Sequence, residues 1–157
     1  MPLIIENNIV TQYQSGHDPH IIVPEGVTAI GRTAFGWFED FTSVQLPEGL
    51  ISIEYMAFYE CGTLEEIIFP STLKKIGESA FSFCDNLEKV VIPDGTEEID
   101  THAFSFCRNL REVYIPDSVT KFGLGIFFHS DKAVIYASRD SCAAKYAKKH
   151  KIKLKKI

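Results

Sequence analysis

Three cysteines recur at a fixed interval of 23 residues: Cys61, Cys84 and Cys107. Thiols in register suggest zinc, disulfide or redox chemistry. Three collinear thiols do not make a tetrahedron, so zinc fits poorly. Side chains stacked in parallel hold their Cβ atoms about 4.8 Å apart, slightly beyond the usual range for a bridge. The expected arrangement is a row of buried thiols, each filling a small gap and donating weakly to backbone. His17, Asp18 and His20 suggest a metal, but Asp18-Pro19 marks a polar turn and no further ligand lies at a sensible spacing. His102 and His129 fall in separate repeats. There is no G-x-S-x-G nucleophile turn and no glycine-rich phosphate loop. The expectation is a protein that is not an enzyme, binds no metal and needs no cofactor.

The elements that carry these residues repeat with them. Proline stands at positions 24, 47, 70, 93 and 116, always 23 residues apart. A period of that length marks a solenoid, in which each repeat is one coil stacked on the last. One coil reads Leu64, Ile67, Phe69, Pro70, Leu73, Ile76, Gly77, Ala80, Phe81, Cys84. The next reads Leu87, Val90, Ile92, Pro93, Thr96, Ile99, Asp100, Ala103, Phe104, Cys107. Short β-branched runs such as Ile67-Ile68-Phe69 predict three-residue strands that stop at proline, which has no N–H for the ladder. In Pro47-Glu48-Gly49 and Pro93-Asp94-Gly95 the sequence predicts proline at position i+1 of a β-turn and glycine at i+3. The second half of each coil spaces its apolar residues by three or four, which predicts one or two helical turns.

The pattern L-x-x-I-x-I-P-x-x-[LV]-x-x-I-G-x-x-A-F-x-x-C over residues 21–132 resembles the BspA-like leucine-rich repeat. Phe38 and Ser130 in place of cysteine, Thr96 at an apolar site and Ile126 in place of alanine depart from it. The resemblance implies an α/β repeat solenoid, a right-handed superhelix with a short parallel β-sheet on one face and short helical turns on the other. It further implies an N-terminal hairpin cap over 1–20, five repeats over 21–132 and a strand-helix-strand cap over 133–157, all in one structural domain. The family's setting implies bacterial surface or secreted proteins, with adhesion as a role. Met1 to Ile5 lack a basic n-region and a long apolar run. The chain is therefore expected in the cytoplasm if Met1 is its native start, and outside the cell if Met1 begins a segment of a longer chain.

Charge is divided along the chain. Residues 1–144 hold nine basic residues against all 21 acidic ones, net −12, and Lys145, Lys148, Lys149, Lys151, Lys153, Lys155 and Lys156 give the tail +7. The acidic body argues against nucleic acid as a partner. No stretch approaches the roughly 18 apolar residues of a membrane span. The lysine tail reads as a solvated cap face, or as a dock for an anionic surface such as glycan, lipid or polyanion.

Strand alternation sends the middle residue of each strand to the outer face of the sheet. That column is expected to read Ile22, Gln45, Ile68, Val91, Tyr114 and Ile135, flanked by Ser43, Glu66, Lys89 and Glu112. An apolar stripe with a charged flank suits recognition of a partner protein. Pairing with a second copy of the chain, and simple β-propensity, are the competing readings of the same stripe. A second ladder, Trp37, Phe83 and Phe106 with Glu60 and His129 at equivalent sites, falls on the opposite side.

Overall fold

The computed structural model describes residues 2–157. A hairpin opens the chain, with β1 (Leu3–Glu6) antiparallel to β2 (Ile9–Tyr13). Asn7 and Asn8 form its turn with positive φ, a region asparagine tolerates. Each following coil supplies one three-residue and one two-residue strand. The three-residue strands are β3 (His20–Ile22), β5 (Ser43–Gln45), β7 (Glu66–Ile68), β9 (Lys89–Val91) and β11 (Glu112–Tyr114). The two-residue strands are β4 (Ala29–Ile30), β6 (Ser52–Ile53), β8 (Lys75–Ile76), β10 (Glu98–Ile99) and β12 (Lys121–Phe122). The chain closes with β13 (Val134–Ala137), helix α1 (Cys142–Lys149) and β14 (Lys153–Lys156).

The result is a β-solenoid with two parallel sheet faces. The hairpin and the two-residue strands make a seven-stranded sheet in the order β1-β2-β4-β6-β8-β10-β12. The three-residue strands, joined by β13 and β14 of the cap, form a second face, divided into β3-β5-β7 and β9-β11-β13-β14. Inside lie columns of identical geometry. Phe35, Phe58, Phe81 and Phe104 stack parallel at centroid distances of 4.8, 5.1 and 5.3 Å, and all four are fully buried. Ile30, Ile53, Ile76 and Ile99 form a second buried column.

Two local expectations are corrected. The segment expected to be helical contains a two-residue strand and then two successive turns. Thr33, Met56, Ser79 and His102 open the turns with positive φ, and Trp37, Glu60, Phe83, Phe106 and His129 close them likewise. Left-handed residues break the 3.6-residue path, and they turn alternate N–H groups toward the next coil. Met56, Phe58 and Glu60 donate to the carbonyls of Glu78, Ala80 and Ser82 at 2.8–2.9 Å, whereas Ala57 and Tyr59 donate within their own coil, to Glu54 and Met56. Among the described residues the only helix is α1 in the cap. The proline turn is also displaced by one position. Leu50 donates to the Pro47 carbonyl, as Leu73, Thr96 and Val119 do to Pro70, Pro93 and Pro116. Proline therefore sits at position i and glycine at i+2, where Gly49 and Gly95 have φ of +94° and +97°.

The departures from the repeat are absorbed by hydrogen bonds or by a neighbouring cap. Thr96 is buried, with its hydroxyl donating to the Leu73 carbonyl at 2.9 Å. Ser130 replaces a cysteine and donates to the Phe104 carbonyl at 2.7 Å. Phe38 packs edge-on against Tyr13 of the hairpin at 4.8 Å. Ile126 fills the last coil beneath α1, and its N–H donates to the Tyr146 hydroxyl at 3.2 Å. Ser141 caps α1 by accepting from Ala144 N–H at 3.0 Å.

Candidate functional site

The outer column of the three-residue strands is exposed where its side chains are apolar. Ile22, Ile68 and Val91 are 68%, 47% and 53% accessible. Gln45 is exposed between them and Tyr114 is half-buried. The register pairs Ile22 with Gln45 and Gln45 with Ile68 on one part of the face, and Val91 with Tyr114 on the other. Ile135 does not belong to this column. It aligns with Val113 on the inward side and is fully buried. The interval shortens to 22 residues in the cap, so Tyr136 takes the outer position, stacked on Tyr114 at 4.4 Å.

The flank is electrostatically organised. Lys89 lies 4.0 Å from the Glu112 carboxylate and 5.2 Å above the Tyr114 ring. Lys155 of β14 stands 5.3 Å above Tyr136. The Tyr114 hydroxyl donates to Glu112 at 3.2 Å, and desolvation together with that carboxylate pushes its phenol above the usual range. Ser43 bonds the His20 ring at 2.8 Å. Glu66 is exposed and lies outside every ion pair among the described residues.

The face is interrupted between β7 and β9. The depression there has a volume of about 640 Å³, lined by Ile68, Phe69 and Val91 with Glu65, Glu66, Glu88 and Lys89. Nothing in the repeat pattern marks this junction, since Ile67-Ile68-Phe69 reads as an ordinary strand.

The turn face carries aromatics that run on beyond the expected ladder. Phe83 and Phe106 stack at 4.4 Å and 4°. Tyr59 bridges Trp37 and Phe83 at 5.7 and 5.5 Å, and Phe128 packs edge-on to Phe106 at 5.6 Å. Trp37 is 55% and Phe128 50% accessible, whereas Phe83 and Phe106 are half-buried. Tyr59 and Phe128 sit one position before the expected column, so a strict 23-residue reading passes over them.

The cysteines form a buried row. The thiols of Cys61, Cys84 and Cys107 donate to the carbonyls of Phe35, Phe58 and Phe81 at 3.0, 3.2 and 3.0 Å. Burial pushes all three upward, Cys107 to about 12. A thiol held protonated is neither a nucleophile nor a metal ligand. His20 donates its backbone N–H to the Asp18 carboxylate, closing the local turn. Among the described residues no three His, Cys, Asp or Glu side chains cluster as a metal site. At the C-terminal end, Arg139, Lys145, Lys148 and Lys156 surround a depression of about 570 Å³ with Ile152 and Leu154 on its apolar side and Asp140 at its edge.

A model of the BspA type leucine rich repeat region matches six copies over residues 12–133, more than half of the chain. The chain belongs to the BspA-type leucine-rich repeat family. A leucine rich cell surface protein from Faecalibacterium prausnitzii is 30% identical to this BspA-type chain, with a TM-score of 0.81. That alignment covers 92% of this chain and 39% of the Faecalibacterium protein. The leucine-rich repeat protein of T. pallidum is 27% identical over 85% of this chain and 67% of its own, with a TM-score of 0.79. The pneumococcal vaccine antigen PcpA shares the fold at a TM-score of 0.80 and 17% identity, over 99% of this chain and 46% of PcpA. Among curated protein sequences none matches. The BspA-type chain thus spans well under half of the Faecalibacterium protein and about two thirds of the T. pallidum one. Among its described residues no helix is long and apolar enough to cross a membrane.

Proposed function

We propose that this BspA-type chain is a non-enzymatic scaffold that recognises a partner protein through the face formed by the three-residue strands. The carrying observation is the column Ile22, Ile68 and Val91, large apolar side chains about half or more exposed beside a charged flank. A solenoid already buries its core between coils, so folding does not require apolar residues on its outer face. The recognition residues are Ile22, Gln45, Ile68, Val91, Tyr114 and Tyr136, with Glu66, Lys89 and Glu112 setting orientation. The depressions described above bring no nucleophile against a general base, which favours binding over catalysis. The cell-surface designation of the Faecalibacterium protein supports a setting outside a bacterial cell, with adhesion as the process.

The test is a matched capture. Wild type and an Ile68→Glu/Tyr114→Glu variant are immobilised and exposed to surface and matrix proteins. A partner retained only by wild type is the expected result. Equal retention by both refutes the assignment of the face.

A further inference from the structure

The three-residue strands form two sheets because their ladder is broken at one junction. At the neighbouring junctions it is closed. Leu46 donates to Ile68 at 3.2 Å, Ile92 to Tyr114 at 2.9 Å and Ile115 to Tyr136 at 3.0 Å. Glu65 and Glu66 both donate to Thr42, and Arg111 and Glu112 both donate to Glu88. The equivalent donors at the break are the N–H groups of Phe69, Glu88 and Lys89, and none has a backbone partner across it.

What distinguishes this coil is Phe69. Its position is filled by Val23, Leu46, Ile92 and Ile115 in the other coils, each 4% accessible or less. A phenyl ring is the bulkiest side chain in that column. Phe69 is only partly buried, and its ring meets Phe81 edge-on at 5.8 Å.

We infer that the Phe69 ring opens this gap and that the gap, flanked by Ile68 and Val91, is a cleft that seats an extended peptide segment of a partner protein, with apolar side chains beside lysine or arginine. β7 and β9 still approach within 8 Å across the gap, too close to admit another strand, so the occupant lies along the outer face over the freed main-chain groups rather than inside the ladder. The walls Ile68, Phe69 and Val91 take apolar side chains. Glu65, Glu66 and Glu88 line the rim, and none is in an ion pair among the described residues. Lys89 is already engaged by Glu112. The rim therefore selects for positive charge on the occupant. The inference rests on the reading of this face as a recognition surface, and it locates where the partner anchors.

The probe is an end-blocked synthetic peptide of residues 151–157, in which four lysines are interleaved with three apolar residues. Its control carries glutamate for lysine. Saturable binding to wild type is expected, weakened at least tenfold by Phe69→Ile and by the control peptide. Phe69→Ile installs the residue of Ile92 and Ile115, so it closes the ladder without threatening the fold. Amide exchange supplies the second readout. Phe69 and Lys89 N–H should exchange at least tenfold faster than Leu46 and Ile92, and slow when peptide binds or when isoleucine replaces Phe69. Equal binding by wild type and Phe69→Ile, or no binding to wild type, overturns the cleft. Phe69 N–H exchanging as slowly as Leu46 overturns the gap itself. A concentration-dependent dimer lost in Phe69→Ile makes a second copy the occupant and overturns a separate partner. If the peptide fails while capture still depends on Ile68 and Tyr114, the cleft falls and the face stands. If the peptide binds while capture ignores those substitutions, the wider face falls and the cleft stands.

Discussion

Phe81→Ala probes what couples one coil to the next. Phe81 is fully buried between Phe58 at 5.1 Å and 6° and Phe104 at 5.3 Å and 5°, with Phe69 edge-on at 5.8 Å. Truncating a core phenylalanine costs about 3–5 kcal/mol through lost transfer energy and the cavity left behind. The upper end applies here. The Phe81 N–H is bonded to Ala103 at 2.8 Å and its carbonyl accepts from the Cys107 thiol at 3.0 Å, so the backbone is pinned and the site cannot collapse. Against a total stability of about 5–15 kcal/mol, the loss removes a third or more. The comparison is Phe127→Ala at the end of the column, where the ring is 7% accessible and has one parallel neighbour at 6.0 Å. Its cost should fall near the lower end, about 3 kcal/mol. Urea unfolding followed by circular dichroism reads both. Wild type should unfold in one transition. Phe81→Ala should lower the midpoint further than Phe127→Ala and reduce the slope, as the coils on either side lose cooperativity. Equal shifts for the two variants, or a shift below about 1 kcal/mol for Phe81→Ala, would refute the stack as the coupling element.

Alkaline pH should destabilise the fold. Unfolded thiols ionise near 9 whereas burial holds Cys107 protonated to about 12, so its contribution is complete below pH 9 and is lost as pH rises from there; an unaltered decline in Cys107→Ala would refute this source. Cys142 should react with a thiol reagent in the native state before the three buried cysteines do, and simultaneous labelling of all four would contradict the buried row. Gly77→Ala should cost about 1–3 kcal/mol in a thermal melt, because the added Cβ would meet Glu54 and Ile53 backbone at 2.8 Å. Gly62→Ala, which meets only a Glu39 carboxylate oxygen at 3.3 Å, should be near neutral; equal losses would refute the contact. Retention on a sulfated polymer through the lysine cap should weaken as salt rises from about 0.1 to 1 M, and salt-independent retention would refute an electrostatic dock.

The repeat made most of the interior legible. A 23-residue period with apolar residues at fixed offsets places Ile53, Phe58, Leu73 and Phe104 inside, and all are buried. The turns were less legible because their signal is carried by residues that do not advertise it. Left-handed backbone usually points to glycine or asparagine, yet here Met56, Glu60, Phe83 and His102 adopt it. Each trades local backbone strain for a hydrogen bond to the next coil. Apolar spacing alone cannot distinguish that arrangement from a helical turn. Ile135 was misplaced for a different reason. The cap drops one residue from the period, and in a strand a one-residue shift exchanges the two faces.

Departures from a repeat differ in what they do, and chemical distance is a poor guide. Thr96 and Ser130 place hydroxyls where the pattern asks for an aliphatic residue or a thiol. Each hydroxyl finds the carbonyl one coil back, and the stack continues undisturbed. Phe69 keeps the apolar class of its column and looks conservative. Its ring has no parallel partner in its own column, unlike Phe58 and Phe81, which stack on each other at 5.1 Å. In a solenoid whose inward columns are fixed by stacking, the surface is therefore shaped by outward residues and by the rare inward residue that does not fit. On this face both kinds meet at one point, where Ile68 and Val91 border the gap beside Phe69.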